Sequence, residues 1–236
     1  MISAARTHIG NVRASNQDAL LVLPGVYGVY GVADGMGGHK AGDVASKMAV
    51  SVVERLLRNQ APSPKLLQSA IEEANALIYE EQLNNPDYSG MGTTMTLIWE
   101  DADRVLLGHV GDSRAYRVRK KSISQVSRDH SMVAEMVRKG LITEEEARVH
   151  PYRNIITRAL GTAETIEVDV EELDKKPGDL YLLCSDGLSE YIRDEEMLYL
   201  LRKHPSLEEA ADVLLNLALE GGGRDNISVV LAEVAP

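Results

Sequence analysis

The sequence predicts an α+β fold in which antiparallel sheets are covered by helices, and three observations predict it. Apolar runs of strand length recur along the chain, segments of helical period stand between groups of them, and two consecutive runs are joined by only a short polar turn. The runs cover residues 19–23, 26–33, 93–99, 104–110, 114–118, 179–184 and 227–234. The polar turn at residues 100–103 leaves room only for an antiparallel hairpin. Grouped runs favour antiparallel sheets over a doubly wound parallel one, which would alternate strictly with helices.

The helical segments have clear signatures. Val44, Ala45, Met48, Ala49, Val52, Val53, Leu56 and Leu57 form one apolar stripe. Ser63 as N-cap and Pro64 in the first turn open a second helix, with Leu67, Ala70, Ile71, Ala74 and Ile78 facing inward. Ser206 with Glu209 predicts a capping box on a late helix that carries Ala210, Val213, Leu214 and Leu217. Residues 128–162 break the strand series with two short helices. One spans 131–139 and ends at Gly140; the other spans 143–149, opens on a Thr143–Glu146 capping box and ends before Pro151. This segment reads as an insertion on the rim of the sheets, either a flap or a structural cover.

Bulk properties bound the rest. The 236 residues fit a single domain, 1–236, with the flap subdomain at about 128–162. A composition of 44% hydrophobic and 26% charged residues is that of an ordinary globular protein. The net charge of −11 excludes a general nucleic-acid binder, which would present a basic face to phosphates. Cys184 is the only cysteine, so there is no intrachain disulfide and no cysteine-based zinc site. No apolar run approaches the ~20 residues needed to span a bilayer, and the first ten residues lack an apolar signal core. The expectation is a cytoplasmic protein with no membrane partner.

Aspartates border five of the apolar runs. Asp18 precedes 19–23, Asp34-Gly35 follows 26–33, Asp186-Gly187 follows 179–184 through Ser185, and Asp225-Asn226 precedes 227–234. In antiparallel sheets, a strand that ends at one edge neighbours a strand that begins there. Two terminal and two initial aspartates can therefore share one rim, and Asp112 in Gly111-Asp112-Ser113-Arg114 can join them. Any one Asp-Gly is explained as a turn; the set of five is not. Asp34 also opens Asp-Gly-Met-Gly-Gly, a run with the backbone freedom for a close approach to a ligand.

Like charges on one rim repel unless something neutralises them. Hard divalent cations do so, and all-oxygen ligands favour magnesium, manganese or calcium over zinc or copper. Two such ions about 4 Å apart clamp an attacking and a leaving oxygen and acidify a bound water. Phosphate monoesters need such help, because enzymes accelerate their hydrolysis by up to ~10²¹. Arg13 offers a bidentate fork for phosphate oxygens.

At these residues the sequence resembles the bacterial form of the metal-dependent protein serine/threonine phosphatases of the protein phosphatase 2C family. The matching segments are Arg13-Ala14-Ser15-Asn16-Gln17-Asp18, Ala33-Asp34-Gly35-Met36-Gly37-Gly38, Met91-Gly92-Thr93-Thr94 and His109-Val110-Gly111-Asp112-Ser113-Arg114. Asp129-His130, Cys184-Ser185-Asp186-Gly187-Leu188 and Gly222-Gly223-Arg224-Asp225-Asn226 follow in order. The resemblance implies a four-layer α-β-β-α sandwich, two mostly antiparallel sheets flanked by helices, with Mn2+ or Mg2+ at one edge: two core ions and a third, weaker one. It implies that Asp34 bridges two ions, that the Gly35 carbonyl binds one of them, and that Asp186 and Asp225 bind the other. Asp18 would act through metal-bound water, Asp112 with Asp186 would hold the third ion, and Arg13 would hold the substrate phosphate. The implied reaction is direct attack of metal-activated water on phosphoserine and phosphothreonine. Implied partners are phosphorylated proteins, including a serine/threonine kinase and its substrates, and the implied state is a monomer.

One position departs from the family pattern. Some members carry a histidine, proposed as proton donor, where this chain has Met36; methionine donates no proton, and His39 is the nearest candidate. Other phosphatase chemistries fit poorly. Cys184 lacks an arginine six residues on, where Glu190 stands, and Asp101-Ala102-Asp103 falls in the hairpin turn. His130 and His150 are expected in the packing or surface of the 128–162 segment.

Overall fold

Central strands whose side chains are apolar on both faces must be covered on both faces, and this requirement sets the layering. The computed structural model describes residues 1–37, 41–204 and 206–235. In chain order the elements are β1 (Ile2–His8), β2 (Asp18–Leu23), β3 (Val29–Met36), α1 (Ala41–Leu57), α2 (Pro64–Asn84), β4 (Gly92–Thr93), β5 (Met95–Glu100), β6 (Arg104–Val110), β7 (Arg114–Arg119) and β8 (Ser122–Gln125). They continue with α3 (Met132–Arg138), α4 (Glu144–Val149), β9 (Asp169–Asp174), β10 (Leu180–Cys184), α5 (Asp186–Ser189), α6 (Asp194–Lys203), α7 (Leu207–Glu220) and β11 (Ile227–Glu233).

Two sheets result. One runs β1-β11-β10-β7-β8 and the other β2-β3-β5-β6-β9, with β4 added on β3. Every pairing between these strands is antiparallel. Alternate residues divide between layers. Tyr30, Val32, Ile98 and Leu107 of one sheet meet Tyr181, Leu183, Val230 and Ala232 of the other in the middle of the sandwich. Val29, Ala33, Leu97, Trp99 and Leu106 point outward onto α1 and α2. Leu182, Cys184, Val229 and Leu231 point outward onto α6 and α7. The four-layer α-β-β-α sandwich is the observed fold. Burial of each Leu or Val in these layers contributes roughly 1.5–3 kcal/mol.

The helix signals behave as read. Ser63 accepts from the Leu66 amide and Pro64 stands in the first turn of α2, while Leu67, Ala70, Ile71, Ala74 and Ile78 are fully buried. Thr143 and Glu146 form a reciprocal capping box on α4. Ser206 gives only half of one: it accepts from the Glu209 amide, but its hydroxyl turns to Glu208.

Some boundaries differ. The run at 26–33 begins three residues late and continues through Asp34 and Gly35 to Met36, because β4 pairs there with Gly35 and Met36. The run at 93–99 is broken at Thr94 into β4 and β5. Strands β1, β8 and β9, none of them anticipated, are all sheet edges. β9 reads Asp-Val-Glu-Glu-Leu-Asp, charges that suit an exposed edge and hide the strand from any search for apolar runs.

Candidate functional site

The rim is built by strand register. Asp18, first residue of β2, stands opposite Asp34 of β3. In the other sheet Cys184, last residue of β10, pairs with Val229 of β11, so Asp186 just beyond one strand and Asp225 just before the other fall at the same end. Asp112 lies in the turn between β6 and β7, where the chain crosses from one sheet to the other. Direct contacts tie the two sheets together here. Ser185 Oγ donates to Asp18 Oδ2 at 2.8 Å, and the Thr94 and Ser113 hydroxyls share a hydrogen bond of 2.7 Å. Thr94 Oγ1 also accepts from the Asp34 amide at 2.8 Å, and Thr93 Oγ1 donates to the Asp34 carbonyl at 2.9 Å.

The glycine after Asp34 has a steric reason. A Cβ on Gly35 would lie 2.1 Å from the Gly42 carbonyl oxygen and 2.5 Å from that of Gln17. The close approach expected of this run is thus, in part, an approach of backbone to backbone, locking β3 against the first turn of α1.

The electrostatics are those of gathered acids. Burial pushes Asp18 up to about 6 against the pull of the Ser228 and Ser185 hydroxyls, with the Asp225 charge adding to the rise. Burial pushes Asp112 up to about 7, with Asp129 adding to it. Asp34 and Asp186 are raised well above the ordinary carboxylate range by burial and then by the other rim aspartates. Among the described residues, Asp18 Oδ1 and Asp186 Oδ1 are buried with no hydrogen-bond partner. Buried acceptors without a donor are costly, and a cation satisfies acceptors and repulsion together. The all-oxygen donor set fits Mg2+ or Mn2+. Among the described residues, no three His, Cys, Asp or Glu side chains gather tightly enough to hold an ion unaided. Carbonyl oxygens and water would complete the shells, as suits ions that keep several waters.

The arginine is held close to the acids. Arg13 Nη2 donates to Asp225 Oδ2 at 2.6 Å, and its pKa is raised by that bond first, with Asp225, Asp186 and Asp34 adding. Its loop is fastened by Asn226, whose Nδ2 donates to the carbonyls of Ile9 (2.9 Å) and Ser15 (3.0 Å) and whose Oδ1 accepts from the Gln17 amide (2.8 Å). Asn226 enters the sequence reading only as a neighbour of Asp225, and its signal was the Asp-Asn pair itself.

Next to Asp112 and Asp186 a groove of about 610 Å³ runs between α3–α4 and the start of α6, lined by Val133, Arg148, Glu190 and Arg193 among others. Arg114 donates through Nε and Nη2 to Asp129 Oδ2 at 2.9 and 2.7 Å, fixing the base of the 128–162 segment beside Asp112. Cys184 is fully buried and its thiol is pushed up to about 12 by burial, which removes it as a nucleophile. Asp101 and Asp103 lie in the turn of the β5–β6 hairpin, at the opposite end of β6 from Asp112. His39 lies outside the described residues. Met36 is the last residue of β3.

Residues 6–226 match the family model described as Protein phosphatase 2C. The chain belongs to the protein phosphatase 2C family. Among curated relatives it is 42% identical over 233 residues to the serine/threonine protein phosphatase PstP of Mycobacterium tuberculosis, covering 98% of this chain and 44% of that protein. The chain therefore spans less than half the length of that relative. It is 39% identical to the serine/threonine phosphatase stp of Listeria monocytogenes, covering 97% of this chain and 94% of that one. The crystal structure of the Mycobacterium tuberculosis serine/threonine phosphatase PstP/Ppp superposes with a TM-score of 0.93 at 40% identity, covering 100% of this chain and 99% of the other. A structure of the PstP catalytic domain in complex with two manganese ions superposes at 0.88 with 39% identity, covering 100% and 98%. In the 2C-family sandwich of this chain, the rim aspartates and Arg13 are thus drawn to one edge of the paired sheets.

Proposed function

We propose that this protein is a phosphoprotein phosphatase that hydrolyses phosphoserine and phosphothreonine on other proteins with the help of two Mn2+ or Mg2+ ions. The single observation that carries the reading is the convergence of Asp18, Asp34, Asp186 and Asp225 from four strand ends, with orphaned carboxylate oxygens and an arginine at their edge. Family membership and the manganese-bound relative support it.

Bound ions would acidify a water and offset the charge of the phosphoryl group. Asp34, the Gly35 carbonyl, Asp186 and Asp225 would hold the core pair, and Asp18 would accept from a water in that shell. Asp112 with Asp186 would hold a third, weaker ion. Thr93 and Thr94 fix the backbone of Asp34, so its carboxylate does not have to reorganise as charge develops. Arg13 would leave or share Asp225 to grip the phosphate and orient it for in-line attack. Met36 donates no proton, so the leaving alkoxide would take one from His39 or from water. Segment 128–162 with its groove would receive the residues flanking the phosphorylated one. A serine/threonine kinase and its targets are the natural substrates, and the protein would act as a cytoplasmic monomer.

The test compares hydrolysis of a phosphothreonine peptide with that of a sugar phosphate, each with Mn2+ and with excess chelator. The reading expects Mn2+-dependent turnover that favours the peptide. Preference for the sugar phosphate would redirect the substrate class, and full turnover in chelator would sink the metal-dependent chemistry.

A further inference from the structure

Two histidines outside the aspartate rim tie the 128–162 segment to the turn that carries Asp112. His130 faces Gly111 twice: its amide donates to the Gly111 carbonyl at 2.8 Å, and its Nδ1 lies 3.0 Å from the Gly111 amide. Gly111 can present both groups because its φ is +114°, and a side chain there would meet Thr94 Cγ2 at 2.5 Å. On the far side of the imidazole, Nε2 lies 3.1 Å from Asp169 Oδ2 of β9. Arg158 Nη1, from the other end of the segment, donates to Asp169 Oδ1 at 2.7 Å and approaches His130 Nε2 at 3.1 Å.

Valence fixes the tautomer. A backbone N–H only donates, so Nδ1 carries no proton and accepts; Nε2 must then carry the proton and give it to Asp169. Nε2 cannot also accept from Arg158, whose two Nη1 protons are taken by Asp169 and the Glu167 carbonyl (3.2 Å). His109, with its ring centroid 4.8 Å from that of His130, repeats the pattern: Nε2 reaches the Arg128 carbonyl at 2.9 Å and Nδ1 faces Thr96 Oγ1 at 2.9 Å. The first residues of the segment are thus held by one imidazole on Arg128 and by their own imidazole on Gly111.

We propose that His130 is a positioning residue: in its Nε2–H tautomer, tethered by Asp169, which Arg158 holds in turn, it keeps the Gly111 amide in place and thereby fixes the orientation of Asp112 relative to the 128–162 segment. The chain of contacts runs from both ends of that segment to the residue adjoining Asp112, so displacement of either end is felt at the turn. The role of Asp112 toward an ion rests on the phosphatase reading; the clamp on Gly111 does not.

Two arms test this separately. In metal-free protein without substrate, imidazole 15N shifts should report Nε2–H with an unprotonated Nδ1, and the Gly111 amide should be protected from exchange. His130→Ala should reduce that protection at least about tenfold while amides in the centre of β5 and β6 keep theirs. His130→Asn, whose Oδ1 falls where Nδ1 was, should restore it. In the second arm, His130→Ala should raise the Mn2+ concentration for half-maximal turnover by about 10–100-fold, and His130→Asn should recover most of it. An Nδ1–H tautomer in the wild type, or unchanged Gly111 protection in His130→Ala, overturns the clamp even if no phosphoester is ever cleaved. If His130→Ala does not fold, the wild-type tautomer and the Asn variant still decide. A clamp present in the first arm with an unmoved Mn2+ dependence in the second overturns the positioning role.

Discussion

Asp18 and Asp34 face each other across β2 and β3, two carboxylates in direct antiparallel register at the end of a buried sheet. Like charges at opposed cross-strand positions are destabilising, and here both are desolvated as well. The register is not free to relax. Shifting it by one residue would turn Val29, Ala33, Tyr30 and Val32 to the wrong layers of the sandwich. The packing of two hydrophobic layers therefore holds two acids together that would separate if free.

A pH dependence follows for the metal-free protein. Asp18 and Asp112 are raised from near 3.8 to about 6 and about 7, so the folded state binds more protons than the unfolded one between those values. Stability from these groups is fully present below about pH 4 and is lost as pH rises through 6 to 7. Depressed carboxylates such as Asp174, at about 2 beside Arg119, act only below that window; His109, lowered to about 4 by burial, opposes the trend inside it, and Asp34 and Asp186, raised well above the ordinary carboxylate range, reinforce it. In chelator the melting temperature should be lower at pH 7.5 than at pH 5, with each kcal/mol worth about 2–4 °C in a chain of this size. Saturating Mn2+ should erase the difference. A melting temperature that is flat or rising in chelator across this interval would contradict the account.

The sequence carried the buried strands and the rim aspartates because both are local patterns. The apolar runs of β3, β5, β6, β10 and β11 need only neighbouring residues to be read, and Asp34 or Asp186 is marked by its place at a run's end. Edge strands carry no such mark: the acidic face of β9 and the polar β8 are indistinguishable from loop until a neighbour pairs with them. Contacts made across many residues were equally hidden. Asn226 holds carbonyls more than two hundred residues away, and His130 meets Asp169 across 39.

Removing one rim charge should separate stability from activity. Asp34→Asn or Asp186→Asn should lower Mn2+-stimulated turnover about 10²–10³-fold or more. Each should also melt higher than the wild type in chelator at pH 7.5, because a buried like charge is gone. Enzyme assays and thermal melts on the same samples read both; full turnover in either variant would remove that residue from the centre.

Arg13 makes an exposed ion pair with Asp225, the two side chains being 53% and 30% accessible. Such pairs contribute about 0–1 kcal/mol, so Arg13→Ala should change stability little. Among the described residues the contact to Asp225 is made by Nη2, and a guanidinium has further donors to offer a phosphate. The variant should raise KM for a phosphopeptide about 10–100-fold, and Arg13→Lys should recover only part, lacking the planar fork. Unaltered KM would leave Arg13 a surface charge.

Asn226→Ala removes three part-buried hydrogen bonds, to Ile9, Ser15 and Gln17 of the loop that bears Arg13, at a cost of about 1–3 kcal/mol. Its kinetic defect should resemble that of Arg13→Ala in KM, added to a lower melting temperature. Asn226→Asp should not rescue it, since a carboxylate accepts from Gln17 but repels the Ile9 and Ser15 carbonyls. Rescue by Asp would show that only the Gln17 bond matters.

Gly35 tests whether the Asp34 turn needs backbone contact or only a flexible residue. Its conformation is open to any side chain, but an added methyl would sit 2.1 Å from the Gly42 carbonyl oxygen of α1 and 2.5 Å from that of Gln17, both of them backbone atoms. Relief requires α1 to move from β3, so Gly35→Ala should cost about 1–3 kcal/mol and displace Asp34, lowering turnover with it. Gly25 is the control: a methyl added there would have nothing within 4 Å, and its backbone is not left-handed, so Gly25→Ala should be neutral or stabilising by up to about 1 kcal/mol. Thermal melts and Mn2+-dependent turnover of the two variants decide the matter. Equal behaviour of the pair would mean that β3 and α1 separate easily, and that the position of Asp34 is set by Thr93 and Thr94 alone.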